Sequence, residues 1–186
     1  MNTIIFNCKR QRRAAPDKEP RMIDRYTVEH LDYGTSKSFE ETVIAFEAVT
    51  GDASGDRYAQ ARSGSKNADE FERRMNEIAG SSGFMRFLTL DHGGWLALFG
   101  PHIKSRLYIV GNPLIARTML QHHVEVGLNV PVRLLIYENA AGEVRLGYDL
   151  PSSLMSRLNN AEVTEAARKL DAKLAALAEQ VCGEKA

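Results

Sequence analysis

Five side chains in the sequence combine residue types and positions that could bind or transform a small molecule. Each lies at or near the point where a predicted strand ends or a predicted helix begins or ends. An imidazole can take up a proton near neutral pH, and the start of a helix attracts anions through its unpaired N–H groups. These types therefore suit an anion-binding or proton-transfer site. The five are His92, Trp95, Asn112, His122 and Asp149.

Together these residues predict a small anionic ligand in a cleft between the sheet and the helices. Asn112 and the helix that follows it hold the anion, and Trp95 forms an apolar wall. His92 and Asp149 orient the ligand, and His122 completes the lining. If the strands before His92, Asn112 and Asp149 end on the same side of the sheet, these three side chains converge there.

Two other functions fit the same residues. In an enzyme, His92 is the general base, steered by Asp149, on a small carbonyl or ester substrate. In a dimeric interaction or structural module, there is no pocket, and either the helix over residues 161–182 or an exposed sheet edge meets the partner. Purely structural roles also fit, because Asn112 can cap its own helix and Asp149 or Ser152 can cap the next one.

Motifs for several well-known chemistries are absent from the sequence. It has no His-Glu-x-x-His or Cys-x-x-Cys spacing for a metal, and the adjacent His122 and His123 point about 100° apart on a helix. It has neither a glycine-rich dinucleotide loop nor a nucleotide-triphosphate loop. Ser152 and Ser153 do not stand in a Gly-x-Ser-x-Gly turn. We therefore expect no metal and no cofactor.

The composition is typical of one soluble globular domain. The chain has 186 residues, 44% apolar and 26% charged. No run reaches the roughly 18–20 apolar residues of a membrane span, so we expect no membrane partner. Basic and acidic residues balance at 24 each, which argues against nucleic acid as a partner.

The two ends of the chain differ from its body. Residues 1–22 hold six Lys and Arg residues against two acidic ones, and residues 1–21 are predicted as a disordered basic tail. A single domain is predicted over residues 22–182, with a short tail at 183–186. Cys8 and Cys182 are interpreted as free thiols, which indicates a reducing cytoplasm.

The periodicity of apolar residues predicts an α+β domain with five strands, mostly antiparallel. The strands are predicted over residues 24–31, 84–90, 106–110, 132–138 and 144–148. Residues 51–66 are predicted as a surface loop because they are rich in Gly and Ser. Helices are predicted from the Ser38–Glu41 capping box to Gly51, over 67–80, over 112–123, after Pro151, and over 161–182.

Three strings in the second half of the chain resemble a known family. They are YIVGNPLIARTMLQHH, PVRLLIYE and YDLPSSL, preceded by LDHGGWL. The order and spacing are similar to the bacterial and archaeal family called domain of unknown function 302, most strongly over residues 83–158. The resemblance implies a compact α+β domain with a curved sheet backed by helices on one face, similar to the TATA-box-binding-protein arrangement, and often a homodimer. It implies no activity.

The sequence departs from that family's pattern at two places. The segment over residues 51–66 and the helix after it stand where simpler members have one continuous helix. His123 stands where an acidic residue is expected after His122. A role that needs a carboxylate at position 123 is therefore not supported.

Overall fold

The structure is a computed structural model that describes residues 23–183. The tails predicted over residues 1–21 and 183–186 lie outside the described residues, except for Gly183. Six strands are present in the described part of the chain: β1 (His30–Thr35), β2 (Gly51–Asp52), β3 (Met85–Asp91), β4 (Ser105–Gly111), β5 (Val132–Glu138) and β6 (Val144–Asp149).

Seven α-helices and three 3-10 turns accompany the strands within residues 23–183. The helices are α1 (Phe39–Val49), α2 (Arg57–Gly64), α3 (Ala68–Ile78), α4 (His92–Leu96), α5 (Pro113–Leu120), α6 (Pro151–Met155) and α7 (Ala161–Cys182). The 3-10 turns are Ala97–Phe99, Val124–Leu128 and Ser156–Leu158. Within residues 23–183, no helix combines the length and apolar character needed to cross a bilayer.

The six strands form one mixed sheet in the order β1-β6-β5-β4-β3-β2. All neighbours are antiparallel except β2 and β3, which are parallel. The predicted α+β class is confirmed, but the predicted count of five strands is wrong. The missing strand, β2, is only two residues long, too short for an alternating pattern to reveal it. The likeness to the TATA-box-binding-protein arrangement stays a prediction.

The first strand lies further along the chain than predicted. Residues 24–31 alternate in sequence, but pairing with β6 begins only at His30, which lies opposite Asp149. The strand then continues to Thr35, beyond the predicted end at residue 31. Leu31 and Tyr33 point inward and pack against the core. The register of β6 therefore decides where β1 begins.

The segment predicted as a surface loop over residues 51–66 contains regular structure. Gly51 and Asp52 pair with β3, and the N–H of Ala53 donates to the carbonyl of Arg86 at 2.8 Å. The helix α2 follows. Ala61 is its one buried residue, so α2 lacks the apolar periodicity by which helices are found. It nevertheless packs in a small second core with α3 and the start of β3.

The main core lies between one face of the sheet and α1, α5, α6 and α7. The inward side chains of β4, β5 and β6 are fully buried there, among them Tyr108, Leu134, Ile136 and Leu146. The last helix, α7, packs on this face of the sheet. Its apolar side chains all lie in this core: Val163, Ala167, Leu170, Leu174, Leu177 and Val181.

The opposite face of the sheet, here called the open face, has an apolar half and an ionic half. In the apolar half, Leu88 and Leu90 of β3 lie opposite Ile109 and Leu107 of β4. Leu88 and Leu90 are 46% and 40% exposed. The ionic half is formed by outward side chains of β1, β5 and β6: His30, Asp32, Arg133, Arg145 and Asp149.

Candidate functional site

An apolar cleft lies between α5, the ends of β4 and β5, and the edge formed by α2 and β3. Its volume is about 350 Å³. Aromatic rings from α2 and β3, aliphatic side chains of α5, and the segment that leads into β5 form its walls. The principal lining residues are Tyr58, Phe87, Ile115, Ala116, Met119 and Pro131.

A bulge in β3 turns Phe87 toward this cleft. The pairing of β3 with β4 shifts register between Arg86 and Leu88, which leaves Phe87 without a direct partner in the ladder. Such a bulge re-aims the side chain of the extra residue. The ring of Phe87 meets the ring of Tyr58 edge to face, with centroids 5.2 Å apart. The two rings form one aromatic wall.

Asn112 stands at the floor of the cleft and caps α5. Its Oδ1 accepts from the N–H of Leu114 at 2.8 Å, and its Nδ2 donates to the carbonyl of Gly83 at 2.8 Å. The predicted cap is confirmed. Because Pro113 has no N–H and Leu114 is already bound, two of the donors on which an anion would depend are taken or absent. The residues that line the cleft carry no charge.

The structure does not bring the predicted site residues together. Because β3 and β4 are antiparallel, His92 follows the end of β3 that lies opposite Arg106, whereas Asn112 follows the other end. The strand rise puts these ends roughly 20 Å apart. The predicted convergence is therefore wrong, since the three strands do not end on the same side. The binding roles of the individual residues stay predictions.

His92 begins α4, in a turn whose polar groups form hydrogen bonds with one another. Asp91 caps it, accepting from the N–H of Gly94 at 2.8 Å, and this bond keeps the pKa of Asp91 below its usual value. Gly93 is required because a Cβ there would lie 2.3 Å from the carbonyl oxygen of Ile103. The indole of Trp95 donates to Nδ1 of His92 at 3.3 Å. The Asp-His-Gly-Gly string therefore has a structural explanation.

His122 lies beyond the C-terminal end of α5, outside the cleft. It is exposed and contacts the side chain of Gln121 at 3.1 Å. A shallow groove between α5 and α7 includes His122 together with Thr118, Glu162 and Lys169. Of the five predicted residues, Asn112 alone lines the apolar cleft.

Asp149 is bound to a histidine that the sequence does not single out. Its Oδ1 lies 2.9 Å from Nδ1 of His30, and its Oδ2 lies 3.8 Å from the guanidinium of Arg133. Gly147 leaves room for this pair, because a Cβ there would lie 3.1 Å from Nε2 of His30. Asp149 therefore orients His30, not His92, and it does not cap α6.

A buried tyrosine lies behind the sheet, close to the His92 turn. The hydroxyl of Tyr108 donates to Glu47 of α1 at 2.7 Å, and burial raises its pKa well above the ordinary range for tyrosine. Arg106 lies between Glu47 and Asp91, at 3.8 and 3.3 Å. The hydroxyl of Tyr108 therefore stays protonated. Its hydrogen bond to Glu47 fixes α1 on the sheet.

Sequence reasoning missed Tyr58, Phe87 and His30. Tyr58 lies in the segment interpreted as a loop, and Phe87 depends on a bulge that no local pattern reports. His30 lies next to the end of the predicted first strand, and only the register with β6 gives it Asp149 as a partner. Among residues 23–183, no group of three or more His, Cys, Asp or Glu side chains is placed to hold a metal ion.

The family model described as domain of unknown function DUF302 matches residues 60–181. The chain belongs to this family. A crystal structure of an uncharacterised conserved DUF302 protein from Bacillus stearothermophilus has the same fold, with a TM-score of 0.58 and 19% sequence identity. That likeness covers 82% of this chain and 97% of the other.

This DUF302 chain also matches part of two named bacterial proteins. They are the fluoride-specific ion channels FluC 1 of Brucella suis and FluC 1 of Brucella abortus, each 32% identical over 85 residues. The match covers 45% of this chain and 34% and 32% of those proteins. The matched region thus spans about a third of the length of these curated relatives.

Proposed function

We propose that the apolar cleft binds one small, largely apolar molecule per chain. The observation that carries this proposal is a cavity of about 350 Å³ with aromatic and aliphatic walls. Binding pockets for small molecules range from roughly 300 to 1,000 Å³ and are mostly apolar with a few polar groups. Burial of a hydrocarbon or aromatic group against Tyr58, Phe87 and Met119 supplies the affinity.

The uncharged walls favour an apolar ligand over the anionic one expected from the sequence. An anion placed here would lose its hydration without a basic side chain among the lining residues to compensate. A ligand with both characters would place its apolar body in the cleft and its charged group at the mouth. The two possibilities differ in one measurable property, the effect of ligand charge on affinity.

A pair of fluorescent probes separates them. N-phenyl-1-naphthylamine is uncharged, and 1-anilinonaphthalene-8-sulfonate has the same rings with one negative charge. We expect saturable binding of the uncharged probe, one per chain, and weaker binding of the sulfonate. Tighter binding of the sulfonate than of the uncharged probe would support an anionic ligand instead. Absence of saturable binding by both probes would contradict the proposal.

Matched variants place the probe in the cleft. Ala116 lines the cleft on α5, and Arg117 beside it is exposed on the same helix. Ala116→Phe fills the cavity and should weaken binding by about tenfold or more, a change of about 1.4 kcal/mol. Arg117→Phe adds the same ring at the surface and should leave the affinity unchanged. Equal losses in both variants would place the probe elsewhere.

The His30–Asp149 pair favours a second candidate function, general-base catalysis on a small ester or carbonyl compound. A carboxylate on Nδ1 orients the imidazole and leaves Nε2 as the proton acceptor. His30 would take a proton from water as the water oxygen attacks the carbonyl carbon, and pass it to the leaving alcohol. This pairing replaces that of His92 with Asp149.

Hydrolysis of p-nitrophenyl acetate tests this second candidate. His30→Gln should lower the rate by about 100-fold, the usual contribution of a positioned base. His102 is also exposed, so His102→Gln is the control and should have no effect. Equal rates for the wild type and His30→Gln would exclude this candidate.

The homodimer implied by the family resemblance is also part of our proposal. Its support is the apolar half of the open face, where Leu88 and Leu90 are 46% and 40% exposed. The helix α7 does not supply the interface, because its apolar side chains lie in the core of its own chain. The cytoplasm remains the proposed location, in keeping with the free thiol of Cys182.

A further inference from the structure

Four large apolar side chains project into solvent from the connection between β3 and β4. They are Trp95, Leu98, Phe99 and Ile103, with exposed fractions of 52%, 83%, 76% and 44%. We call this group the apolar tip. Single exposed apolar residues are ordinary on a protein surface, but a cluster of this kind marks a site of interaction.

Contacts within the turn fix the backbone that presents the apolar tip. Asp91 caps α4 through the N–H of Gly94 and pairs with Arg106 at 3.3 Å. Gly93 lies directly against the carbonyl of Ile103, so the two ends of the connection lie close together. The ring of Trp95 meets the ring of Phe99 edge to face, with centroids 6.3 Å apart. The apolar side chains are therefore presented outward by a defined turn.

The low charge of this segment allows contact with a lipid surface. Residues 92–104 contain no Asp or Glu, and their ionisable side chains are His92, His102 and Lys104. Lys104 lies at the base of the tip, 3.4 Å from Glu40 and 3.7 Å from Glu138. The tip itself therefore brings no carboxylate to a lipid surface. Trp residues favour the boundary between headgroups and hydrocarbon because their rings are apolar with one polar end.

The size of the tip favours insertion into lipid over a protein interface of its own. At typical side-chain areas, the four exposed fractions amount to roughly 500 Å². A stable protein interface buries about 800 Å² on each partner. A few apolar side chains at a projecting turn can instead enter a lipid surface to a shallow depth.

We propose that the apolar tip docks the chain reversibly on a lipid surface. This goes beyond the proposed ligand cleft, because the tip lies at the opposite end of β3 from Asn112. It also adds a membrane partner that the sequence does not predict. The chain would bind as a peripheral protein, with Leu98 and Phe99 inserted and Trp95 at the headgroups.

Trp95 is the single tryptophan of the chain and reports directly on docking. The full chain is mixed with vesicles of phosphatidylcholine containing phosphatidylglycerol, and both sedimentation and Trp emission are measured. We expect most of the protein to sediment with the vesicles. We also expect a blue shift of the emission and protection of Trp95 from quenching by iodide. Binding should persist as salt is added, because apolar contacts carry it.

A charge-matched pair of variants decides where the contact lies. Leu98→Glu with Phe99→Glu should lower vesicle binding by at least about tenfold. The control is Val124→Glu with Leu128→Glu, which changes two residues that are 81% and 79% exposed on a separate turn. Circular dichroism verifies that both variants fold. The control should bind as the wild type does.

Three outcomes would overturn the proposal. The first is that neither sedimentation nor the emission of Trp95 changes with vesicles. The second is that the tip variant and the control lose binding equally. The third is a shift of Trp95 emission that depends on protein concentration without vesicles, because a second copy would then be the partner of the tip.

Discussion

At the scale of single residues, burial keeps the thiol of Cys182 protonated. This residue ends α7 and is 6% exposed. Burial raises the pKa of its thiol to about 11 from an ordinary 9.0, more than the nearby Lys37 lowers it. Folding therefore favours the protonated form. The stability that this preference contributes is present below about pH 9 and is lost as the pH rises toward 11.

The same pKa predicts slow thiol chemistry. In a Cys8→Ser variant, reaction of Cys182 with 5,5′-dithiobis(2-nitrobenzoic acid) at pH 8 should be at least about 100-fold slower than in denaturant, since two pKa units remove that fraction of thiolate. The release of thionitrobenzoate is followed by absorbance. A folded protein that reacts as fast as the unfolded one would contradict the burial of this thiol.

Residue-scale features could be predicted from the sequence where they depend on near neighbours. The caps at Ser38 and Asn112 are confirmed, because each side chain binds an N–H within three positions. Asp149 is different. Its partner His30 lies 119 positions away, and only the pairing of β1 with β6 joins them. Local pattern holds no information about such a contact.

At the scale of elements, Asp171 of α7 caps the start of α6. The helix α6 begins at Pro151, and its N-cap Leu150 offers no side-chain acceptor. The N–H of Ser152 donates to Oδ1 of Asp171 at 3.1 Å. Burial raises the pKa of the Asp171 carboxyl, so the charged form is disfavoured in the folded protein although the oxygen is needed.

This conflict predicts opposite effects for two substitutions. Asp171→Ala removes the acceptor and should lower the free energy of unfolding by about 1 kcal/mol. Asp171→Asn keeps an oxygen acceptor without charge, and should leave the stability equal or higher at pH 7. Urea unfolding of each variant measures the difference.

The pH dependence provides a second check on the role of Asp171. Its raised pKa means that the wild type loses stability as the pH rises above the unfolded value near 3.8. The contribution of this group is full below that value and is lost as the pH passes the folded pKa. The free energy of unfolding of Asp171→Asn should therefore rise relative to that of the wild type between pH 4 and pH 7. A constant difference across that interval would contradict burial as the cause.

Long elements were predictable, and short ones were not. The apolar repeat of α7 extends over 22 residues, so its length and buried face follow from periodicity alone. The strand β2 has two residues, and α2 buries only Ala61. These elements form because β2 pairs with the edge of β3 and α2 packs against side chains of α3. Tertiary contacts, and not local preference, create the wall of the cleft that bears Tyr58.

At the scale of the whole molecule, the open face separates apolar from ionic side chains. Its charges are paired within the chain: Asp149 with His30 and Arg133, and Asp32 with Arg145. The ionic half therefore needs no partner to neutralise it. The leucines of β3 remain exposed, and exposed apolar area of this kind favours association.

The proposed homodimer would cover this face through a twofold axis, because the apolar half can pack against itself. We expect light scattering after size-exclusion chromatography to give twice the monomer mass, and Leu88→Arg with Leu90→Arg to give a monomer. Leu128→Arg, at a residue 79% exposed elsewhere, should remain a dimer. The tip variant Leu98→Glu with Phe99→Glu should also remain a dimer, which separates self-association from lipid docking. A wild-type monomer would contradict the dimer, and loss of the dimer in the Leu128→Arg control would remove the open face as its interface.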